Sequence, residues 1–106
     1  MQGMGWLTTE ELVWNAKGHL STHAPSTYKI PATGDIPAHF KVDLWPEANR
    51  EDNVFGSKAV GEPPFMLAIS VWEALRDAVA QARGDGEVEL DAPATAERVL
   101  FALRTL

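Results

Sequence analysis

Ser57-Lys58-Ala59-Val60-Gly61-Glu62-Pro63-Pro64 sets one acid between a glycine and two prolines. This spacing describes a carboxylate held in place. Gly61 carries no Cβ, so another group can approach closely, and the two prolines remove backbone rotations that would swing Glu62 away. They also suit the first turn of a helix, where the N–H groups have no intrahelical acceptor. A positioned carboxylate of this kind serves as a general base when its surroundings bring its pKa near the working pH. An apolar site raises that pKa and a helix N-terminus lowers it, so the local chemistry leaves two roles open: a base, or an acid that merely answers the helix dipole.

The other chemically suggestive residues point elsewhere. His19 and His23 are four apart, but Gly18 and Pro25 interrupt the helix they would have to share, and no acidic partner completes a zinc set, so no metal ligand is expected from this chain. Gly56 and Gly61 repeat the spacing of a phosphate-binding loop, yet Glu62 stands where a lysine is required and would repel phosphate. Lys58 reads as a loop-positioning residue rather than a proton shuttle. The four Trp are core and interface mass, since no basic groove accompanies them as a stacking platform for bases.

The elements that must position Glu62 follow from periodicity. Ala68, Val71, Trp72, Leu75, Ala78, Val79 and Ala82 recur at helical spacing after Pro63-Pro64, with Gly84 as the stop, predicting one dominant helix from about Pro64 to Arg83. Residues 65–69 are apolar all round, while Arg76, Asp77, Gln81 and Arg83 mark a wet face, so this helix is expected to begin buried and finish exposed. Thr95 is placed to cap a last helix with Glu97 in its first turn and Val99, Leu100 and Leu103 facing inward. Earlier, Thr8 to Glu11 has the Ser/Thr-x-x-Glu form of a capping box and predicts a short helical turn. Leu12-Val13-Trp14 and His19-Leu20 flank Asn15 to Gly18 as a small hairpin. Pro25, Pro31 and Pro37 break the next stretch, and Phe40, Val42 and Leu44 alternate with Lys41 and Asp43 as a strand with one buried face. The sum is an α+β unit, residues 1–106, with short strands, a hairpin, one long helix and a C-terminal helix.

Composition narrows the function classes. One hundred and six residues, 45% of them hydrophobic, suffice for one core and exclude a second full domain. Nine basic against fifteen acidic residues give a formal charge of −6, which repels nucleic-acid phosphates and anionic lipid surfaces. Without cysteine the chain offers no disulfide, thiolate nucleophile or iron–sulfur ligand. Its longest apolar run, around Phe65 to Trp72, is far too short to span a bilayer, and a soluble, cytoplasmic protein is expected.

Four blocks carry a family resemblance. Gly5-Trp6-Leu7-Thr8-Thr9-Glu10-Glu11-Leu12, Pro25-Ser26-Thr27-Tyr28-Lys29-Ile30-Pro31, Ser57 to Pro64, and Leu90-Asp91-Ala92-Pro93-Ala94-Thr95 occur in that order. They resemble consecutive blocks near the C-terminus of the molybdenum-binding large subunit of xanthine dehydrogenases. The Gly-Glu-Pro-Pro block is the most specific, and it leans toward xanthine dehydrogenases and aldehyde oxidases rather than carbon monoxide dehydrogenases, whose equivalent glutamate lacks the two prolines.

The resemblance implies that residues 1–106 are a C-terminal piece of a molybdenum-cofactor-binding domain. It implies that Glu62 is the general base of a molybdenum hydroxylase that oxidises purines (hypoxanthine and xanthine to urate) with water as the oxygen source. Gly61 would line the cofactor cavity beside it, whereas Gln2, which resembles a position near the pterin, stands at a cut end and is not assigned to the site. Molybdenum-molybdopterin would belong to the full enzyme, with none bound to the fragment; iron–sulfur centres and FAD would lie elsewhere in the complex. The implied partners are the remainder of the molybdenum-binding subunit, the iron–sulfur/FAD subunit or domains, and a purine. A fragment of this kind is expected to be inactive alone, and to expose apolar patches that promote self-association. The alternative is a non-catalytic protein-interaction module in which Glu62 only caps a helix.

Overall fold

Four helices make up the main regular structure of the described part of the computed structural model, which comprises residues 1–58, 63–84 and 86–104. Helix α1 covers Gln2–Thr8, α2 Pro63–Leu67, α3 Ile69–Arg83 and α4 Ala96–Arg104, with single 3-10 turns at Thr33–Asp35 and Val54–Gly56. The core lies where α3 and α4 cross. Val79, Leu90, Ala94 and Ala102 are buried there, with Trp72, Leu75, Val88 and Val99 packed against them.

The two C-terminal helices form much as the apolar spacing demands. Gly84 adopts the left-handed conformation (φ 76°) and its N–H donates to the Ala80 carbonyl, ending α3 at the one residue type with no Cβ penalty there. Thr95 caps α4: its hydroxyl accepts from the Arg98 N–H at 3.3 Å, while Glu97 sits in the first turn. The inner face of α4 is Val99 and Ala102, whereas Leu100 and Leu103 stay 43% and 40% exposed. The expected long helix is interrupted at Ala68, which is buried and carries a turn between α2 and α3.

Helix α1 overturns the expected polarity of its segment. Thr8 ends the helix instead of capping one, and its hydroxyl donates back to the Met4 carbonyl at 2.6 Å. Two glycines in seven residues make Gln2–Thr8 a poor helix by propensity, so its stability comes from packing. A Cβ on buried Gly5 would lie 2.6 Å from Pro31 Cδ, which shows how closely the helix backbone is seated on that ring. The Leu7 carbonyl accepts from the Ala94 N–H at 2.7 Å, and Thr9 Oγ1 donates to the Lys29 carbonyl at 2.8 Å. Nothing in the capping pattern encodes these distant partners.

Among the described residues there is no strand, and the α+β expectation is corrected to an all-helical set of elements. Asn15 to Gly18 does turn, with Asn15 Oδ1 accepting from the Lys17 and His19 N–H groups and Gly18 at φ 77°, but the expected hairpin stops at one antiparallel bridge between Trp14 and Leu20. The Phe40 to Leu44 segment finds no neighbour to pair with, and a strand without one has no ladder to stabilise it. The expected buried beginning is not found: Phe65, Met66, Leu67 and Ile69 are 45–68% exposed, and among the described residues of α2 and α3 only Ala68 and Val79 are buried, whereas Arg76, Asp77 and Gln81 are exposed as expected.

These exposures add up. The chain presents 8795 Å² to solvent, against roughly 5,800 Å² for a folded monomer of its 11.6 kDa mass. Its radius of gyration is 17.8 Å, where about 13 Å is usual for this length. The excess is on the order of 3,000 Å².

Candidate functional site

Gly61 and Glu62, the residues expected to carry the chemistry, lie outside the described residues, as do Ala59 and Val60. The structure describes the frame on either side of them. On the N-terminal side, residues 45–58 form a loop tied to itself. The Lys58 ammonium donates to the Trp45 carbonyl at 3.4 Å and to that of Glu47. The Asn49 and Asn53 side-chain amides both donate to the Ser57 carbonyl, at 2.7 and 3.2 Å. Within the loop the Ser57 N–H donates to the Val54 carbonyl and the Gly56 N–H to that of Asn53. Ser57 and Lys58, which precede the segment carrying Gly61 and Glu62, are thereby secured to points several residues back in the chain.

This loop is strained at one position. Phe55 sits at φ 55°, ψ 24°, the left-handed region that a bulky side chain rarely adopts, followed by Gly56 at φ 62°. Such a conformation costs on the order of 1–3 kcal/mol and persists where surroundings enforce it. The amide and ammonium bonds to the Ser57, Trp45 and Glu47 carbonyls are that enforcement.

On the C-terminal side, α2 is held against α1. The Trp6 and Phe65 rings meet edge to face, with centroids 5.2 Å apart and planes at 60°. Because α1 is itself fastened through Gly5 on Pro31 and Leu7 to Ala94, the start of α2 is referenced to the rest of the chain. Two anchors, the Lys58 loop and the α1–α2 contact, therefore bracket the segment that carries Glu62.

A third tie joins the chain ends. Arg98 on α4 donates to the Pro93 carbonyl at 2.8 Å and to Glu11 Oε1 at 2.9 Å, across 87 residues of sequence. This clasp closes residues 93–98 over the exit of α1. Arg83 donates to the Ala102 carbonyl at 3.1 Å, so the end of α3 is fixed to α4. An open groove of about 880 Å³ lies between these helices, lined by Glu87, Glu89, Asp91 and the two arginines among others. Both arginines on its wall thus take part in these ties.

His19 belongs to the Asn15 turn, where its N–H donates to Asn15 Oδ1. No cluster of three or more His, Cys, Asp or Glu stands together among the described residues. Lys58 is found in the loop-positioning role expected of it. Sequence reasoning missed Asn49, Asn53 and Arg98. The two asparagines look like ordinary turn residues, and nothing local marks Arg98 as the partner of an acid near the other end of the chain.

Comparison with known proteins gives a consistent answer. Residues 1–37 match a family model described as a molybdopterin cofactor-binding domain. Over 103 residues the chain is 47% identical to a xanthine dehydrogenase/oxidase of Gallus gallus, covering 93% of this chain and 8% of that protein. It is 44% identical over 103 residues to a xanthine dehydrogenase of Dictyostelium discoideum, with the same two coverages. A xanthine dehydrogenase of Oryza sativa subsp. japonica is 45% identical over 113 residues, covering 96% of this chain and 8% of the relative. The chain thus spans about 8% of the length of the curated relatives it matches.

Proposed function

The chain belongs to the xanthine dehydrogenase family, as a fragment of its molybdenum-binding region, and from that premise we propose that it completes the active site of a molybdenum hydroxylase by supplying Glu62 as general base. Residues 1–106 are then the C-terminal part of the cofactor-binding domain. The identity of about 45%, which runs across nearly the whole chain, is the observation that carries this reading. The excess exposed surface supports it, because a piece cut from a larger body leaves uncovered the face that body normally protects.

The family model matched by residues 1–37 is that of a molybdopterin cofactor-binding domain, and among the described residues no group of three or more His, Cys, Asp or Glu stands together as a ligand set for the metal itself. When bound in the full protein, the cofactor would supply the redox chemistry of hydroxylation. The part left to this chain is proton transfer and positioning. A carboxylate oxygen of Glu62 takes the proton from the water-derived nucleophile, and Gly61 leaves room for the cofactor beside it. The Lys58 loop and the Trp6–Phe65 contact hold the described residues on either side of the segment carrying Glu62. A purine is the substrate, the iron–sulfur and FAD centres are partners, and the cytoplasm is the working compartment in this proposal. No described helix is long and apolar enough to cross a membrane.

The test is Glu62→Gln in the assembled enzyme. The amide keeps the shape and loses the base, so kcat for xanthine should fall on the order of 10²–10⁴-fold while molybdenum content stays at the wild-type level. Normal turnover in that variant would return Glu62 to the role of a helix cap.

A further inference from the structure

Residues 40–44 keep the pattern of a strand in a structure that gives them no strand to join. Phe40, Val42 and Leu44 are 54%, 75% and 93% exposed. Lys41 and Asp43, two residues apart, are joined by a 2.9 Å ion pair. Side chains at i and i+2 share a face only when the backbone is extended, so that contact shows the charged residues gathered on one side and leaves the other side to the three apolar ones. Among the described residues, the backbone of residues 38–44 makes no hydrogen bond. Just beyond the segment, the carbonyls of Trp45 and Glu47 accept from the Lys58 ammonium, which fixes its end.

Each of those unpaired N–H and C=O groups is satisfied by water now and would be orphaned if the apolar face were covered by side chains alone. Covering it without that penalty requires a second backbone alongside. We infer that residues 38–44 add as a β-strand to an exposed sheet edge in the larger polypeptide, with Phe40, Val42 and Leu44 turned into that sheet's apolar layer and the Lys41–Asp43 pair left on the wet side. A partner of that description has room to exist, since the relatives are some twelve times longer than this chain. The inference rests on the proposed place of the chain in a larger enzyme, and it adds which segment docks there and how. It also accounts for the position of the Lys58 loop: a strand locked into a sheet at residue 44 delivers that loop, and the segment carrying Glu62 after it, from a rigid edge.

Residue-resolved hydrogen–deuterium exchange on the assembled enzyme tests this. Amides within residues 38–44 should exchange roughly 100-fold or more slowly than in an unstructured peptide of the same sequence, every second one if the strand lies at the new edge and all of them if it is flanked on both sides. Val42→Pro deletes one donor and should lower the yield of assembled enzyme. Val42→Thr retains the N–H and the strand preference and should assemble normally. Exchange at the unstructured rate in an enzyme that holds molybdenum would overturn the strand while leaving the proposed function standing. Failure of the chain to co-purify with any molybdenum-containing polypeptide would instead remove the proposed function itself. Slow exchange already present in the 106-residue chain alone and rising with its concentration would make a second copy the occupant, which also overturns the inference.

Discussion

Replacing Gly5 by alanine should destabilise the chain even though alanine is the better helix former. In α1 the added methyl would lie 2.6 Å from Pro31 Cδ and 2.9 Å from Pro31 Cγ, with Glu10 Oε1 also at 2.6 Å. The glutamate can rotate aside. The proline ring cannot, because its atoms close on the backbone, so α1 or residue 31 must move by most of an ångström to restore the 3.4 Å at which ordinary contact begins. Forced overpacking of this kind costs about 1–3 kcal/mol. Against it stands a gain of roughly 0.5–1 kcal/mol from the lower conformational entropy of alanine in the unfolded chain. The net expectation is a loss of about 1–2 kcal/mol, read in urea as a fall of roughly 0.5–1 M in the midpoint of the circular dichroism transition. Gly34→Ala is the control, since nothing lies within 4 Å of its would-be Cβ and its φ is not in the left-handed region. That variant should be neutral or slightly stabilising. If Gly5→Ala unfolds at the same urea concentration as Gly34→Ala, the seating of α1 on Pro31 is refuted.

Two more substitutions probe the frame. Thr95→Ala removes the acceptor for the Arg98 N–H and should cost about 0.5–1 kcal/mol by the same urea measurement, the low end of capping effects because the bond is 3.3 Å long. Arg98→Met breaks the clasp to Glu11 and Pro93. As the side chains of Arg98 and Glu11 are 35% and 43% exposed, a double-mutant cycle with Glu11→Gln should give a coupling of no more than about 1 kcal/mol, shrinking as salt is added. A coupling unchanged in molar salt would show that the pair works through packing instead of charge. With Glu62→Gln on turnover and the exchange behaviour of residues 38–44, these variants examine the two halves of the frame and the base between them.

What the amino-acid order determined by itself is whatever depends on near neighbours. The run from Ala68 to Ala82 with Gly84 behind it specifies α3, because a 3.6-residue apolar repeat and a left-handed stop are local properties, and Thr95 specifies the start of α4 in the same way. The Gly61-Glu62-Pro63-Pro64 block marked the candidate base by chemistry and resemblance, although those first two residues lie outside what the structure describes. Tertiary contact decided the rest. Helix α1 exists where propensity disfavours it because Gly5 fits against Pro31 and Trp6 against Phe65, and neither distance is encoded within seven residues. Arg98 found Glu11 only because the fold brings the chain ends together. Residues 40–44 carry the alternation of a strand and yet form none, and Phe65 to Ile69 is apolar and yet exposed, for one physical reason: a ladder and a buried face each need a second surface, and that surface is not part of these residues.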